Sequence, residues 1–195
     1  LRKIAEEIHG KTSDLYRALV SSDYTIRNHS FFDTLTVEVD DQKARLIEER
    51  ALDREINLFY SEGEIRISLD ETVSSEDLRD IAMVFDCMDE FHVTENHTDE
   101  FLPAAMIRQT SYLDHPVFNR YHTETEMMRY LKQLENRDMS LVHSMIPLGS
   151  CTMKLNAASE LMPVSWPEFA NIHPFVPREQ RKGYARIIEE LGEYL

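Results

Sequence analysis

The sequence predicts an α/β fold with a small sheet, and two observations lead to this prediction. Along residues 1–86, apolar residues at helical spacing alternate with short runs of β-branched and aromatic residues. The elements follow in the order helix, strand, helix, strand, strand, helix. Apolar residues make up 42% of the 195-residue chain, which is enough to build a core. We therefore expect a layer in which helices cover one side of the sheet.

The first three elements are predicted from the spacing of apolar residues and from one pair of carboxylates. A helix is predicted over residues 1–20, where apolar residues recur at helical spacing (Ile4, Ile8, Leu15 and Leu19). A strand is predicted over residues 31–39, whose second half alternates apolar and polar side chains. Asp40 and Asp41 indicate the start of a second helix, because a carboxylate accepts hydrogen bonds from a first turn. We expect this helix to run to about Leu52.

A β-hairpin and a third helix complete the predicted layer. The short runs 56–60 and 64–69 flank a turn that contains Gly63, which is typical of a hairpin. Ser74 or Ser75 is expected to cap the next helix. The apolar stripe of that helix consists of Leu78, Ile81, Ala82 and Phe85.

The rest of the chain has a different character. Residues 87–118 are acidic and lack sustained periodicity, so they predict a linker between the α/β subdomain at 1–86 and a second region at 119–195. A helix is predicted from about Thr123 to Asn136, with a buried stripe of Met127, Tyr130, Leu131 and Leu134. A closing helix is predicted from Glu179 to Tyr194. The proline-rich stretch before it contains aromatic residues that we expect to be buried (Trp166, Phe169 and Phe175).

Charge and composition exclude several classes of function. The net charge of −15 argues against binding to nucleic acid or to an anionic membrane, because both are rich in phosphate. No apolar run approaches the roughly 20 residues that span a bilayer. Two cysteines are too few for a disulfide framework, which favours a reducing compartment. No secretory signal is visible, and the start at Leu1 leads us to expect a piece of a longer protein.

Reactive residue types are densest between Gly149 and Lys154, and four interpretations stay open. Cys151 could be a nucleophile with His143 or His122 as its base, and Lys154 could form a Schiff base. The segment could also be a binding loop, since Gly149 permits close approach of the backbone and Ser150 and Thr152 offer hydroxyls. The fourth interpretation is a structural turn before a helix that Asn156 caps.

Metal and phosphate sites of the common kinds are not predicted. The separations of His115, His122 and His143 fit none of the compact zinc patterns, so we expect no metal site. The five glycines form neither G-x-G-x-x-G nor a P-loop. Most of the phosphate cup of any phosphorylated cofactor must then lie elsewhere.

Three segments resemble the glycine decarboxylase P-protein of the glycine cleavage system. The most characteristic is HSMIPLGSCTMKLNAASELMPVSWPEFANIHPFVP, residues 143–177. The other two are TSYLDHPVFNRYHTETEMMRYLKQLENRDMSLV, residues 110–142, and INLFYSEGEIRISLDETVSSEDL, residues 56–78. The resemblance covers most of the chain from about Phe31 onward.

The resemblance implies an enzyme that uses pyridoxal phosphate (PLP). The family looks like two tandem halves with the aspartate-aminotransferase fold, and this chain would straddle their junction. Residues 1–86 would be the small C-terminal subdomain of the first half, and residues 119–195 the arm and start of the second, catalytic half. The implied reaction decarboxylates glycine and transfers the aminomethyl group to the lipoyl arm of H-protein, within a homodimer of the full-length chain.

The resemblance also assigns roles to the reactive segment. Lys154 matches the lysine of the PLGSCTMK motif, which is not the Schiff-base lysine, and no position here matches that lysine. We therefore expect the chain to be inactive alone. The implied pocket residues are Gly149, Ser150, Cys151 and Thr152, and the implied loop supports are His143, Lys154 and Asn156. The alternative is a non-catalytic scaffold that mediates subunit contact. The family occurs in bacterial cytoplasm and in the mitochondrial matrix.

Overall fold

A computed structural model of the chain describes residues 1–94, 101–137, 143 and 157–195. It divides into two units, Leu1–Thr110 and Ser111–Leu195. No helix in the described ranges is long and apolar enough to cross a membrane.

The first unit is an α/β layer with an antiparallel sheet of four strands. Its elements, in chain order, are α1 (Arg2–Ser21), β1 (Thr25–Ile26), β2 (Thr34–Glu38), α2 (Asp41–Leu52), β3 (Phe59–Ser61), β4 (Glu64–Ser68) and α3 (Ser75–Val84). The strand order is β1-β2-β4-β3, and every neighbouring pair is antiparallel. The predicted fold class is confirmed at this level of a mixed α/β unit.

Local hydrogen bonds explain where the predicted helices begin. The Asp40 carboxylate accepts the Lys43 backbone N–H at 2.7 Å and caps α2. Ser74, rather than Ser75, caps α3 in a capping box with Asp77. Gly63 takes a φ of +73° in the hairpin turn, a conformation that glycine adopts without strain.

The strands differ in length from their predictions. The strand predicted over 31–39 is β2, Thr34–Glu38, and Phe31 is buried in the core without being part of it. Residues 56–58 precede β3 rather than forming it. Strand β1 was not predicted, because a strand of two residues is too short to show alternation.

The core lies between the helices and one face of the sheet. Alternate residues of the two central strands point into it, with Leu35 paired to Ile67 and Val37 to Ile65. The predicted stripe of α3 is buried, whereas Ile4 at the start of α1 is exposed. The other core side chains from the helices are Leu15, Ala18, Leu19, Ile47 and Ala51.

The first unit continues beyond α3. Cys87 and Phe91 are buried in its core, and Phe101 packs against the core from outside. Short 3₁₀ turns lie at Met88–Glu90 and Ala104–Met106. The division into a subdomain, a linker and an arm stays a prediction.

Where the structure describes it, the second unit consists of short helical segments. It contains a 3₁₀ turn at Pro116–Asn119, then α4 (Glu124–Glu135), α5 (Ala158–Leu161), 3₁₀ turn Met162–Ser165, α6 (Pro167–Ala170), 3₁₀ turn Arg178–Arg181 and α7 (Lys182–Tyr194). Thr123 caps α4 in a capping box with Glu126, which confirms the predicted start.

The predicted burial in this unit is wrong. Of the stripe on α4, Tyr130 is half-buried, and Met127, Leu131 and Leu134 are exposed. Trp166 and Phe175 are also exposed, at 49% and 89%. No residue of this unit is buried among those that the structure describes, so its apolar side chains do not form a core of their own.

Candidate functional site

The reactive loop predicted from the sequence falls mainly outside the described residues. This applies to Gly149, Ser150, Cys151, Thr152, Lys154 and Asn156. His143 is described, and it is an exposed turn residue. The pocket and support roles of all seven residues stay predictions.

A short helix follows the loop. Ala157 occupies the N-cap of α5, and this helix has no side-chain cap hydrogen bond. The structural interpretation placed Asn156 at the cap, and Asn156 lies outside the described residues, so that interpretation stays a prediction.

Three aromatic side chains contact one another between residues 166 and 184. The Trp166 and Phe169 rings have centroids 6.2 Å apart, and Phe169 meets Tyr184 edge-on at 6.0 Å. The Tyr184 hydroxyl donates a hydrogen bond to the Phe169 carbonyl at 2.7 Å. These contacts hold the first turn of α7 against the end of α6.

The histidines before α4 are engaged in local turn contacts. The His115 Nδ1 atom accepts the Val117 backbone N–H at 3.1 Å. The His122 Nε2 atom lies 2.9 Å from the Asn119 carbonyl. Within the described ranges, no group of three His, Cys, Asp or Glu residues is arranged to hold a metal ion.

The thiol that the structure describes is protected from reaction. Burial raises the pKa of the Cys87 thiol to about 11, and the nearby Asp86 carboxylate adds to the shift. A thiol with this pKa is a poor nucleophile near neutral pH. The hypothesis of a cysteine nucleophile therefore rests on Cys151 alone.

Three carboxyl groups at turns and helix starts are held as anions by local hydrogen bonds. Hydrogen bonds from Thr72 lower the pKa of Asp70, and those from Ser74 lower the pKa of Asp77. Hydrogen bonds from Thr123 lower the pKa of Glu126 in the same way. Each of these charges stabilises its own turn or helix start, so none of them indicates catalysis.

An ionic cluster that the sequence did not predict lies on the outer face of the sheet. The buried Glu64 carboxylate accepts hydrogen bonds from the guanidinium groups of Arg27 and Arg66. Arg27 also donates to Glu38 at 3.2 Å, and the Arg66 guanidinium lies 5.0 Å from the Phe59 ring centroid. Alternation along β4 could have shown which residues share this face. The cluster balances two cations with two anions and so attracts no ligand by net charge.

A surface depression of about 670 Å³ lies along α2. Its lining consists of Asp40, Asp41, Gln42, Lys43, Arg45, Leu46 and Glu49. Three of these residues are carboxylates and two, Lys43 and Arg45, are cations, so the lining carries a small net negative charge. The depression therefore does not attract a phosphate group by net charge.

Comparisons with known proteins relate the whole chain to one kind of enzyme. The family model described as "Glycine cleavage system P-protein" matches residues 1–85. A Vibrio parahaemolyticus protein named "Glycine dehydrogenase (decarboxylating)" is 47% identical over 199 residues, and the match covers 100% of this chain and 21% of that protein.

Similar relatives occur in distant organisms. The protein of Gallus gallus named "Glycine dehydrogenase (decarboxylating), mitochondrial" is 45% identical over 200 residues, covering 100% of this chain and 20% of that protein. A Pseudomonas aeruginosa protein named "Glycine dehydrogenase (decarboxylating) 2" is also 45% identical over 200 residues, and the match covers 100% of this chain and 21% of that protein. The chain thus spans about a fifth of the length of the curated relatives it matches.

Proposed function

Because this chain belongs to the glycine cleavage system P-protein family, we propose that it forms part of a PLP-dependent glycine decarboxylase. The observation that carries the proposal is the identity of 45% to 47% along the whole chain to bacterial and vertebrate glycine dehydrogenases. A match of this extent includes both units and the reactive loop, so it does not depend on a single motif.

The proposed fold is a partial aspartate-aminotransferase-like fold. In this proposal residues 1–86 correspond to the small C-terminal subdomain of the first tandem half. Support comes from their architecture, since helices cover one face of a small antiparallel sheet. Residues 87–118 are the linker, and residues 119–195 correspond to the arm and the start of the second half. The exposed apolar helices of this last region are consistent with a segment that packs on further chain.

The proposed reaction is decarboxylation of glycine. When bound, PLP supplies an electron sink for the electron pair that remains as carbon dioxide departs. The loop residues of this chain have supporting roles in the proposal. Backbone N–H groups of the loop that begins at Gly149, together with the hydroxyls of Ser150 and Thr152, hold the substrate carboxylate with fixed dipoles or line the cofactor pocket. Cys151 lines the same pocket, and His143, Lys154 and Asn156 fix the loop.

The proposed partners follow from the same reaction. The aminomethyl group passes to the lipoyl arm of H-protein, and the full-length chain forms a homodimer. The relatives include bacterial proteins and one that is named as mitochondrial. We propose the bacterial cytoplasm as the compartment, with the mitochondrial matrix as the alternative.

A chimeric enzyme tests the proposed function. The matched segment of the Vibrio parahaemolyticus relative is replaced by residues 1–195 of this chain, and release of labelled carbon dioxide from glycine is measured with H-protein present. The PLP absorbance band and the sedimentation coefficient report whether the chimera is folded and loaded. We expect the chimera to release carbon dioxide.

Loop variants of the chimera help to distinguish the proposed enzymatic function from the alternative of a non-catalytic scaffold. The Ser150→Ala, Thr152→Ala double variant is expected to lose turnover or glycine affinity while keeping its PLP absorbance. Unchanged kinetics would remove these hydroxyls from the pocket. A folded, PLP-loaded chimera that releases no carbon dioxide would contradict the proposed function and favour the non-catalytic scaffold.

A further inference from the structure

A buried carboxylate on α1 holds the chain beyond α3. The side chain of Asp14 is 2% exposed, and its Oδ2 atom accepts the backbone N–H of Thr94 at 3.0 Å. The two residues are 80 positions apart. A charge this deeply buried requires partners, because its desolvation is otherwise uncompensated.

An aromatic contact holds the same part of the chain a few residues later. The Phe101 ring stacks on Phe31 with centroids 4.9 Å apart, and it lies 4.7 Å from the ring of Tyr16. Tyr16 is two positions after Asp14 on α1. Thr94 and Phe101 are therefore attached to neighbouring parts of one helix.

Arg17 touches both attachments. Its Nη1 atom donates to the Asp14 Oδ1 atom at 3.1 Å, and its guanidinium carbon lies 5.5 Å from the Phe101 ring centroid. A guanidinium group can donate hydrogen bonds from its edge while its planar face contacts an aromatic ring. A single cation thus links the carboxylate that binds Thr94 to the ring of Phe101.

We propose that Arg17 couples these two attachments, so that Asp14, Tyr16 and Arg17 act as one clamp that holds or releases Thr94 and Phe101 together. The clamp fixes the point at which the chain leaves the α/β core at Phe101 rather than at the end of α3. It is a conformational device of the first unit and does not depend on the proposed enzymatic function. Its signature is that a change at Phe101 alters the environment of Thr94.

Amide hydrogen exchange in the 195-residue chain tests the coupling. The Phe101→Leu variant is expected to accelerate exchange of the Thr94 amide at least tenfold relative to the Leu69 amide, which donates to the Asp33 carbonyl at the end of the central strand pair. Dividing by the Leu69 rate removes any contribution from global unfolding. Glu7→Gln is the matched control, because it alters an exposed ion pair with Lys3 on the same helix.

A double-mutant cycle completes the test. Asp14→Asn and Phe101→Leu, measured singly and together, are expected to be less than additive in their effect on the Thr94-to-Leu69 ratio, because either change alone opens the clamp. Additive effects, or a ratio in Phe101→Leu equal to that of the Glu7→Gln control, would overturn the proposal. Tryptic cleavage after the exposed Arg108 is expected to accelerate in parallel.

Discussion

The hydroxyl of Tyr24 donates a hydrogen bond to the carbonyl of Phe85 at 2.7 Å, although the two residues are 61 positions apart. Their rings also meet edge-on at 5.5 Å, and the ammonium group of Lys43 lies 3.7 Å from the centre of the Tyr24 ring. Tyr24 directly precedes β1, and Phe85 directly follows α3. Their contact therefore connects an early element of the first unit to a late one.

Removing this hydroxyl is expected to destabilise the first unit. Tyr24→Phe leaves the buried Phe85 carbonyl without its donor, which costs about 1 to 3 kcal/mol. Urea unfolding of the chain, followed by circular dichroism, measures the change. Tyr60→Phe is the matched control, because the buried Tyr60 hydroxyl finds no hydrogen-bond partner among the described residues. We expect that variant to be as stable as the parent chain or more so, and equal losses in both variants would contradict the assignment.

The stability of the first unit is expected to fall at alkaline pH. Burial raises the pKa of Tyr24 and of Tyr60 from 10.0 to about 12, and that of Cys87 from 9.0 to about 11. Between the unfolded and the folded pKa values the unfolded chain binds fewer protons, so unfolding becomes more favourable as pH rises. The contribution of these three groups to the free energy of unfolding is complete below about pH 9 and is lost toward pH 12. Urea midpoints measured from pH 8 to pH 11 should decline, and a flat profile would contradict the burial of these groups.

Two glycine substitutions are expected to have opposite effects. Gly63→Ala forces a side chain into a φ of +73°, which costs about 1 to 2 kcal/mol. Gly192→Ala lies inside α7 with open space around the added methyl group, so it should raise helicity by the propensity difference of up to about 1 kcal/mol. Urea unfolding measures the first change, and ellipticity at the helical band measures the second. A neutral Gly63→Ala would show that the turn adopts another conformation.

The isolated chain is expected to self-associate through its second unit. The side chains of Ile188 and Leu191 are 70% and 55% exposed on α7, beside the exposed Tyr194. Sedimentation velocity at several concentrations should therefore reveal oligomers, and Ile188→Lys with Leu191→Lys should reduce them. Leu46→Lys on α2 is the control, since Leu46 is 45% exposed in the first unit. A parent chain that is monomeric at every concentration would contradict this prediction.

The isolated chain is also expected to lack decarboxylase activity. It spans about a fifth of the length of its relatives, and the depression along α2 has a small net negative charge that does not attract a phosphate. Incubation with PLP, H-protein and labelled glycine should release no carbon dioxide above a chain-free blank. Release of carbon dioxide by the purified chain would contradict the prediction that this chain is inactive alone.

Local signals in the sequence were sufficient to predict where α2, α3 and α4 begin. Asp40, Ser74 and Thr123 cap helices through hydrogen bonds within three residues, so their patterns predict helix starts without knowledge of the fold. Contacts between distant residues were not predictable in this way. The two-residue strand β1 and the bond between Asp14 and Thr94 depend on tertiary structure, which no short pattern encodes.

The second unit shows the limit of amphipathic patterns. The apolar stripe of α4 predicted that Met127, Leu131 and Leu134 would be buried, but all three are exposed. An amphipathic pattern predicts that a helix has an apolar face, but it does not identify the residues that cover this face. For the candidate site, the segment from Gly149 to Asn156 was identified by composition and by resemblance, and its roles stay predictions. The ionic cluster around Glu64 was missed, because Arg27 is 37 positions away from Glu64 in sequence.

The strand order β1-β2-β4-β3 bears on how the first unit is assembled during synthesis. The central pairing joins Glu38 to Glu64 and Thr34 to Ser68, with α2 and β3 lying between the partners in sequence. Pairing between residues so far apart requires closure of a long loop, which slows folding relative to local helix formation. On the ribosome, α1 and α2 can therefore form early, whereas the middle of the sheet must wait until β4 has emerged from the exit tunnel.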